Sequence, residues 1–171
     1  MVDTEVLYLS GVFPQHNILP GKPLPQGHKL APGLIGGAQK LALNVVTHYL
    51  SLISESETGV CVLSAVNLSP AEFRLLRALY SSFPEYAPYE LLLSSLLEMD
   101  IEQCRSNLLL AKEQGPEIWE YEMAPLWRSL QRLRKKLEGR FALSIVNLRG
   151  QMGYLLISFH VPSEQVTSKS V

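Results

Sequence analysis

The chain has 171 residues, 47% of them apolar and 18% charged, with a formal net charge of −1. That is enough apolar material for one packed domain with appendages, and it excludes a chain disordered over most of its length. The near-neutral balance provides no global pull toward nucleic acid or an anionic membrane, so a contact with phosphates has to come from a local basic patch.

The first 37 residues hold five of the eleven prolines and six of the eleven glycines. Proline fixes φ and removes a donor, and glycine resists both helix and strand. Apart from Val6–Leu9, an apolar run able to pair as a strand, residues 1–37 therefore read as an extended Pro/Gly-rich arm. The arm is not polar. Phe13, Ile18, Leu19, Leu24 and Leu30 punctuate it, and we expect them to lie on a neighbouring surface.

Residues 38–162 read as an α+β globular domain, and 163–171 as a polar tail. Leu41, Val45, His48, Tyr49 and Leu52 recur at helical spacing, which predicts an amphipathic helix over about Ala38–Ile53. Gly59–Val66 reads as a short buried strand. Ser69-Pro70-Ala71-Glu72 is a helix start, with Ser69 as N-cap, Pro70 in the first turn and Glu72 closing a capping box. That helix runs to about Phe83. Further helices are expected over Tyr89–Leu97 and Asp100–Lys112, and Gln114-Gly115-Pro116 breaks the chain.

The C-terminal part carries the clearest pattern. Leu126, Leu130, Leu133 and Leu137 stand at i, i+4, i+7 and i+11, predicting a helix over Pro125–Leu137 that ends at Glu138-Gly139. A hairpin follows, Phe141–Leu148 and Tyr154–Val161 around Arg149-Gly150-Gln151, with Ile145, Leu155, Ile157 and Phe159 needing cover. The expected architecture is an extended arm, a mostly helical middle and a C-terminal β-hairpin.

Little in the chain points to catalysis. There are only two aspartates, Asp3 and Asp100, and the histidines are scattered at positions 16, 28, 48 and 160. No HExxH, P-loop, GxSxG or GxGxxG pattern occurs. Cys61 and Cys104 lie far apart without a CxxC, so free thiols are expected. We expect no enzyme, cofactor or metal. The N-terminus lacks a basic segment followed by an apolar run, so no signal peptide is expected and synthesis is cytoplasmic. No apolar run approaches the roughly 20 residues that span a bilayer.

One charge feature stands out. Arg128, Arg132, Arg134, Lys135, Lys136 and Arg140 fall within thirteen positions and hold six of the fifteen basic residues. On a helix, Arg128, Arg132 and Lys135 or Lys136 share a face.

Two resemblances follow from these segments. Leu68-Ser69-Pro70-Ala71-Glu72-Phe73-Arg74-Leu75-Leu76 resembles the opening helix of the DNA-binding effector domain of OmpR/PhoB-type response regulators. Leu130-Gln131-Arg132-Leu133-Arg134-Lys135-Lys136-Leu137 resembles the recognition helix of that family. Val146-Asn147-Leu148-Arg149-Gly150 with Met152-Gly153-Tyr154-Leu155 resembles its wing. The resemblance covers Leu68–Leu156, with little room between Gly59 and Asn67 for the family's N-terminal four-stranded sheet. It implies that Arg128, Arg132, Arg134 and Lys135 face the groove or phosphates of duplex DNA and that Arg149 sits on the wing.

The whole chain also resembles the small baseplate and tail structural proteins of contractile-tailed bacteriophages. The residues that carry this are the arm, Gly37-Ala38-Gln39-Lys40-Leu41 opening an apolar helix, the polar turn Ser54–Gly59 and the closing hairpin. It implies a non-enzymatic assembly protein of a virion or tail-like particle. Such a protein docks other subunits through the arm, the hairpin and the basic residues Arg128, Arg132, Arg134, Lys135, Lys136 and Arg149. The sequence reading takes the assembly protein first and the winged-helix DNA-binding regulator as its alternative.

Overall fold

A computed structural model of the chain describes residues 6–9, 38–56, 59–141, 143–148 and 153–158. The fold is α+β. Strands β1 (Val6–Leu9), β2 (Ala38–Asn44), β3 (Tyr49–Ser56) and β4 (Gly59–Asn67) form an antiparallel sheet in chain order. Helices α1 (Pro70–Ser82), α2 (Tyr89–Leu97), α3 (Ile101–Gln114) and α4 (Pro116–Leu137) follow. A two-residue strand β5 (Ala87–Pro88) precedes α2. Strands β6 (Leu143–Leu148) and β7 (Gly153–Ser158) close the chain as a hairpin, in a three-stranded sheet ordered β5-β7-β6.

The expected helix over Ala38–Ile53 is instead the hairpin β2–β3. Leu41 and Leu43 alternate inward on β2, and Leu50 and Ile53 are buried on β3. Ser54 is buried there too, and Leu50 and Leu52, cross-strand from Leu43 and Leu41, pack against the main core in ordinary strand alternation. The register shift opposite Leu52 and Ile53 places the extra residue, Leu63, on β4. The turn between the strands is built by Asn44, whose Oδ1 accepts the amides of Val46 at 3.0 Å and Thr47 at 2.9 Å. His48 takes a left-handed φ of 57°. Its ring stacks on Phe73 at 4.5 Å, and its carbonyl accepts the Leu68 amide, which ties the turn to the start of α1.

The capping box forms as expected. The Ser69 amide donates to Glu72 Oε2 at 2.7 Å, and the Glu72 amide donates to Ser69 Oγ at 3.3 Å. α2 has the predicted bounds, and Asp100 caps α3 by accepting the Glu102 and Gln103 amides. α4 does not begin at Pro125. It begins at Pro116 and runs through Pro125, so the stretch 117–122 forms its first turns. An internal proline costs about 3 kcal/mol through its lost hydrogen bond and ring clash. Met123 and Leu126, both fully buried on either side of it, offset that cost by packing in the core.

The hairpin turns inward Leu143, Ile145, Tyr154 and Leu156, while Leu155 and Ile157 are half-buried. The inward set on β7 is thus one residue out of step with the expected one. Gly153 sets the phase: it pairs with Pro88, and a Cβ there would collide with the Ala87 carbonyl oxygen. Only glycine permits that approach. One core joins the sheet (Leu41, Leu43, Leu50, Val66), α1 (Phe73, Leu75, Leu76, Leu79), the leucines of α2 and α4, and the hairpin.

The strand Val6–Leu9 pairs with β2. The rest of the expected arm, with Phe13, Ile18, Leu19, Leu24 and Leu30, lies outside the described residues, as do Arg149, Phe159 and the tail.

Candidate nucleic-acid interface

The leucine stripe of α4 decides where its cations go. Leu126, Leu130, Leu133 and Leu137 are all essentially inaccessible, so one side of the helix is fixed against the core. With about 100° between successive residues, the five basic side chains of the run that lie on α4 cannot share one fate.

Two of them are turned to the protein. Lys136 Nζ donates to Glu72 Oε2 at 2.6 Å and to the Asn67 carbonyl at 2.9 Å. It joins α4 to the end of β4 and to the capping box of α1. Burial pushes the Glu72 carboxyl up, but the hydrogen bonds from Lys136 and Ser69 and the ammonium's charge outweigh it, leaving the group below the usual carboxylate range. Arg134 Nε donates to the Ile145 carbonyl at 3.0 Å, and its guanidinium lies 5.3 Å from the centroid of the Tyr154 ring. Arg134 therefore pins the hairpin to the helix.

Tyr154 completes that joint. Tyr89 packs against it at 5.7 Å, and the Tyr89 hydroxyl donates to Oδ1 of Asn147, the cross-strand partner of Tyr154, at 3.5 Å. Burial, with Tyr89 beside it, raises the Tyr154 hydroxyl above its ordinary value, so it stays protonated.

The other three point outward. Arg128, Arg132 and Lys135 are exposed at i, i+4 and i+7, and Gln131 is exposed between them at i+3. Arg128 Nε donates to the Ala124 carbonyl at 3.2 Å, leaving its two terminal nitrogens free. Among the described residues, Arg132 and Lys135 have no ion-pair partner. Arg140 is exposed just past the helix, beside Gly139 at φ 69°. The outer face of α4 thus holds three cations and an amide, with the β6–β7 hairpin fixed alongside.

The sequence had grouped Arg134 and Lys136 with the contact residues; the structure separates them as struts. Tyr154 and Asn147 were not singled out for the site. The signal for them was the cross-strand pairing of Asn147 with Tyr154. The first third of α4 has the opposite charge, with Glu117, Glu120 and Glu122, and Tyr121 there is 77% exposed.

A cleft of about 400 Å³ between α1 and α2 is lined by Arg74, Arg77, Ser81, Leu91, Ser95 and Glu98, and shares no residue with α4. Arg74 there is already committed to Glu98 and to the Leu96 carbonyl. Among the described residues, no group of three or more His, Cys, Asp or Glu side chains is placed to hold a metal ion, and no helix is long and apolar enough to cross a membrane. Among known proteins, no family model, no characterised sequence and no solved structure matches the chain.

Proposed function

We propose that the protein is a winged-helix DNA-binding protein in which α4 is the recognition helix and the β6–β7 hairpin is the wing. The observation that carries this is the outer face of α4, where Arg128, Arg132 and Lys135 stand exposed beside a hairpin clamped to the same helix by Arg134. A helix of this width fits the major groove, and a neighbouring hairpin reaches the adjacent backbone. The order of elements supports the same reading: α1, α4 and the β6–β7 hairpin follow in the order of the opening helix, recognition helix and wing of OmpR/PhoB-type effector domains, and a four-stranded sheet precedes them. The sheet is drawn from Val6–Asn67, with its first strand far upstream of the others. The chain departs from that pattern by α3 and the first turns of α4, an added helical pair between α2 and the reading face.

The test is equilibrium binding of the full chain to a 25-base-pair duplex of mixed sequence, followed by salt titration. We expect binding that weakens steeply with salt, and an Arg132→Ala, Lys135→Ala double variant that binds at least tenfold more weakly with an unchanged melting midpoint. Absence of any duplex affinity at 20 mM salt would sink the reading.

A second reading is the assembly subunit of a tail-like particle, with the same basic face docking a protein. Four exposed apolar side chains on α3 and α4, Leu109, Leu110, Ile118 and Tyr121, favour it. The apolar helix that carries the baseplate resemblance, however, is the β2–β3 hairpin.

A further inference from the structure

We infer that the outer face of α4 selects a purine-rich core of three base pairs, two G·C pairs about two steps apart with an A·T pair between them. The inference rests on the DNA-binding reading and deepens it to a sequence class.

The charge along α4 sets which turns enter the groove. Glu117, Glu120 and Glu122 occupy the first third, where proximity to phosphates is repulsive. The helix therefore meets the bases with its middle turns, not its first. On the outward side, those turns offer Ala124, too short to reach an edge, Trp127, exposed one turn before Gln131 and without the paired donor and acceptor that a base edge needs, and then Arg128, Gln131 and Arg132. Lys135 lies a further turn along, where a single flexible ammonium suits a phosphate better than a base edge.

The residue types then choose the bases. Arginine pairs bidentately with guanine O6 and N7, and glutamine with adenine N6 and N7. Arg128 retains both terminal nitrogens for such a pair because only Nε is spent, on the Ala124 carbonyl. Among the described residues, Arg132 makes no hydrogen bond or ion pair, so its whole fork is available.

Spacing fixes the separation. At 1.5 Å of rise per residue, Arg128 and Arg132 are about 6 Å apart along the axis. Base pairs step by about 3.4 Å, so the two guanidiniums address positions about two steps apart. Gln131 lies between them in sequence and is offset around the helix from Arg132, which leaves it the intervening pair.

The experiment is enrichment of the full chain's preferred sites from a randomised duplex pool, repeated with Arg128→Ala, Gln131→Ala and Arg132→Ala. The wild type should enrich the G·C, A·T, G·C core. Each variant should lose preference at one of the three positions by roughly ten- to hundredfold and keep the other two. Salt-sensitive binding without enrichment, or enrichment that the variants do not move position by position, overturns the inference and leaves the DNA-binding reading standing. No binding to any duplex removes both.

Discussion

The last two turns of α4 carry two kinds of cation within five residues. Arg134 and Lys136 point into the protein, one to the hairpin and one to the cap of α1. Arg132 and Lys135 point out, and Arg128 continues their row one turn earlier. Composition treats these five as one basic cluster, and helical phase divides them. The inward pair holds the two elements that flank the outer face at a set distance from it. The outward three are then presented by a frame that does not depend on them. The division predicts that inward substitutions change stability first, whereas outward ones change binding alone.

The largest expected effect is at Lys136. Lys136→Met removes the partner of a buried carboxylate and should lower the unfolding free energy by about 2–3 kcal/mol in urea melts at neutral pH. The dependence on pH sharpens this. The carboxyl of Glu72 is held below its unfolded value, so its contribution is fully present above the ordinary glutamate range and is lost as pH falls through the lowered folded value. The stability gap between wild type and Lys136→Met should therefore close in acid, below about pH 4. A gap that stays constant from pH 7 to pH 3 means that the Lys136–Glu72 pair is not its source.

Arg134→Ala should come next, at about 1–2 kcal/mol, from one hydrogen bond to a carbonyl and one cation–π contact. Its distinguishing sign is local. Amide exchange in β6 and β7 should accelerate more than exchange in α1, because Arg134 clamps the hairpin rather than the core. Uniform acceleration throughout would mean that Arg134 supports the core as a whole and not the hairpin.

The two ends of the described chain differ in how much of them could be read in advance. From Ser69 onward, local chemistry and tertiary structure agree. A complete capping box, Asp100 as a cap and Gln114-Gly115-Pro116 as a break each act within a few residues, so their signals survive in the bare sequence. Residues 38–56 were misread because the structure there depends on pairing. Leu41, Val45, His48, Tyr49 and Leu52 fit a helical period, and the turn over 45–48 interrupts the alternation that marks β2 and β3 separately. Pairing with Val6–Leu9 across some thirty residues leaves no local trace at all. Pro125 misled for a related reason: a proline suits a first turn locally, and only the burial of Met123 and Leu126 shows that the helix passes through it. At the site, the basic run was legible, but its division was not. That division needed the positions of Glu72 and Ile145, neither of which adjoins the run.

The smallest effect tests the opposite end of the same helix. Glu117 and Glu120 are exposed and precede Arg128 by eleven and eight residues. At 1.5 Å per residue this places them about 16 and 12 Å away along the axis. Screening shortens the reach of a charge to about 10 Å at 0.1 M salt and extends it to about 30 Å at 0.01 M. Glu117→Gln with Glu120→Gln should therefore strengthen duplex binding a few-fold at 10 mM salt and almost not at all at 150 mM. The same change removes two carboxylates that favour the N-terminal end of the helix dipole, so the melting midpoint should fall slightly while affinity rises. Opposite signs in the two measurements are what a groove-reading helix with an acidic, outlying start requires. If the acidic turns instead dock a basic partner protein, neutralising them leaves duplex affinity untouched at both salts and weakens that protein contact.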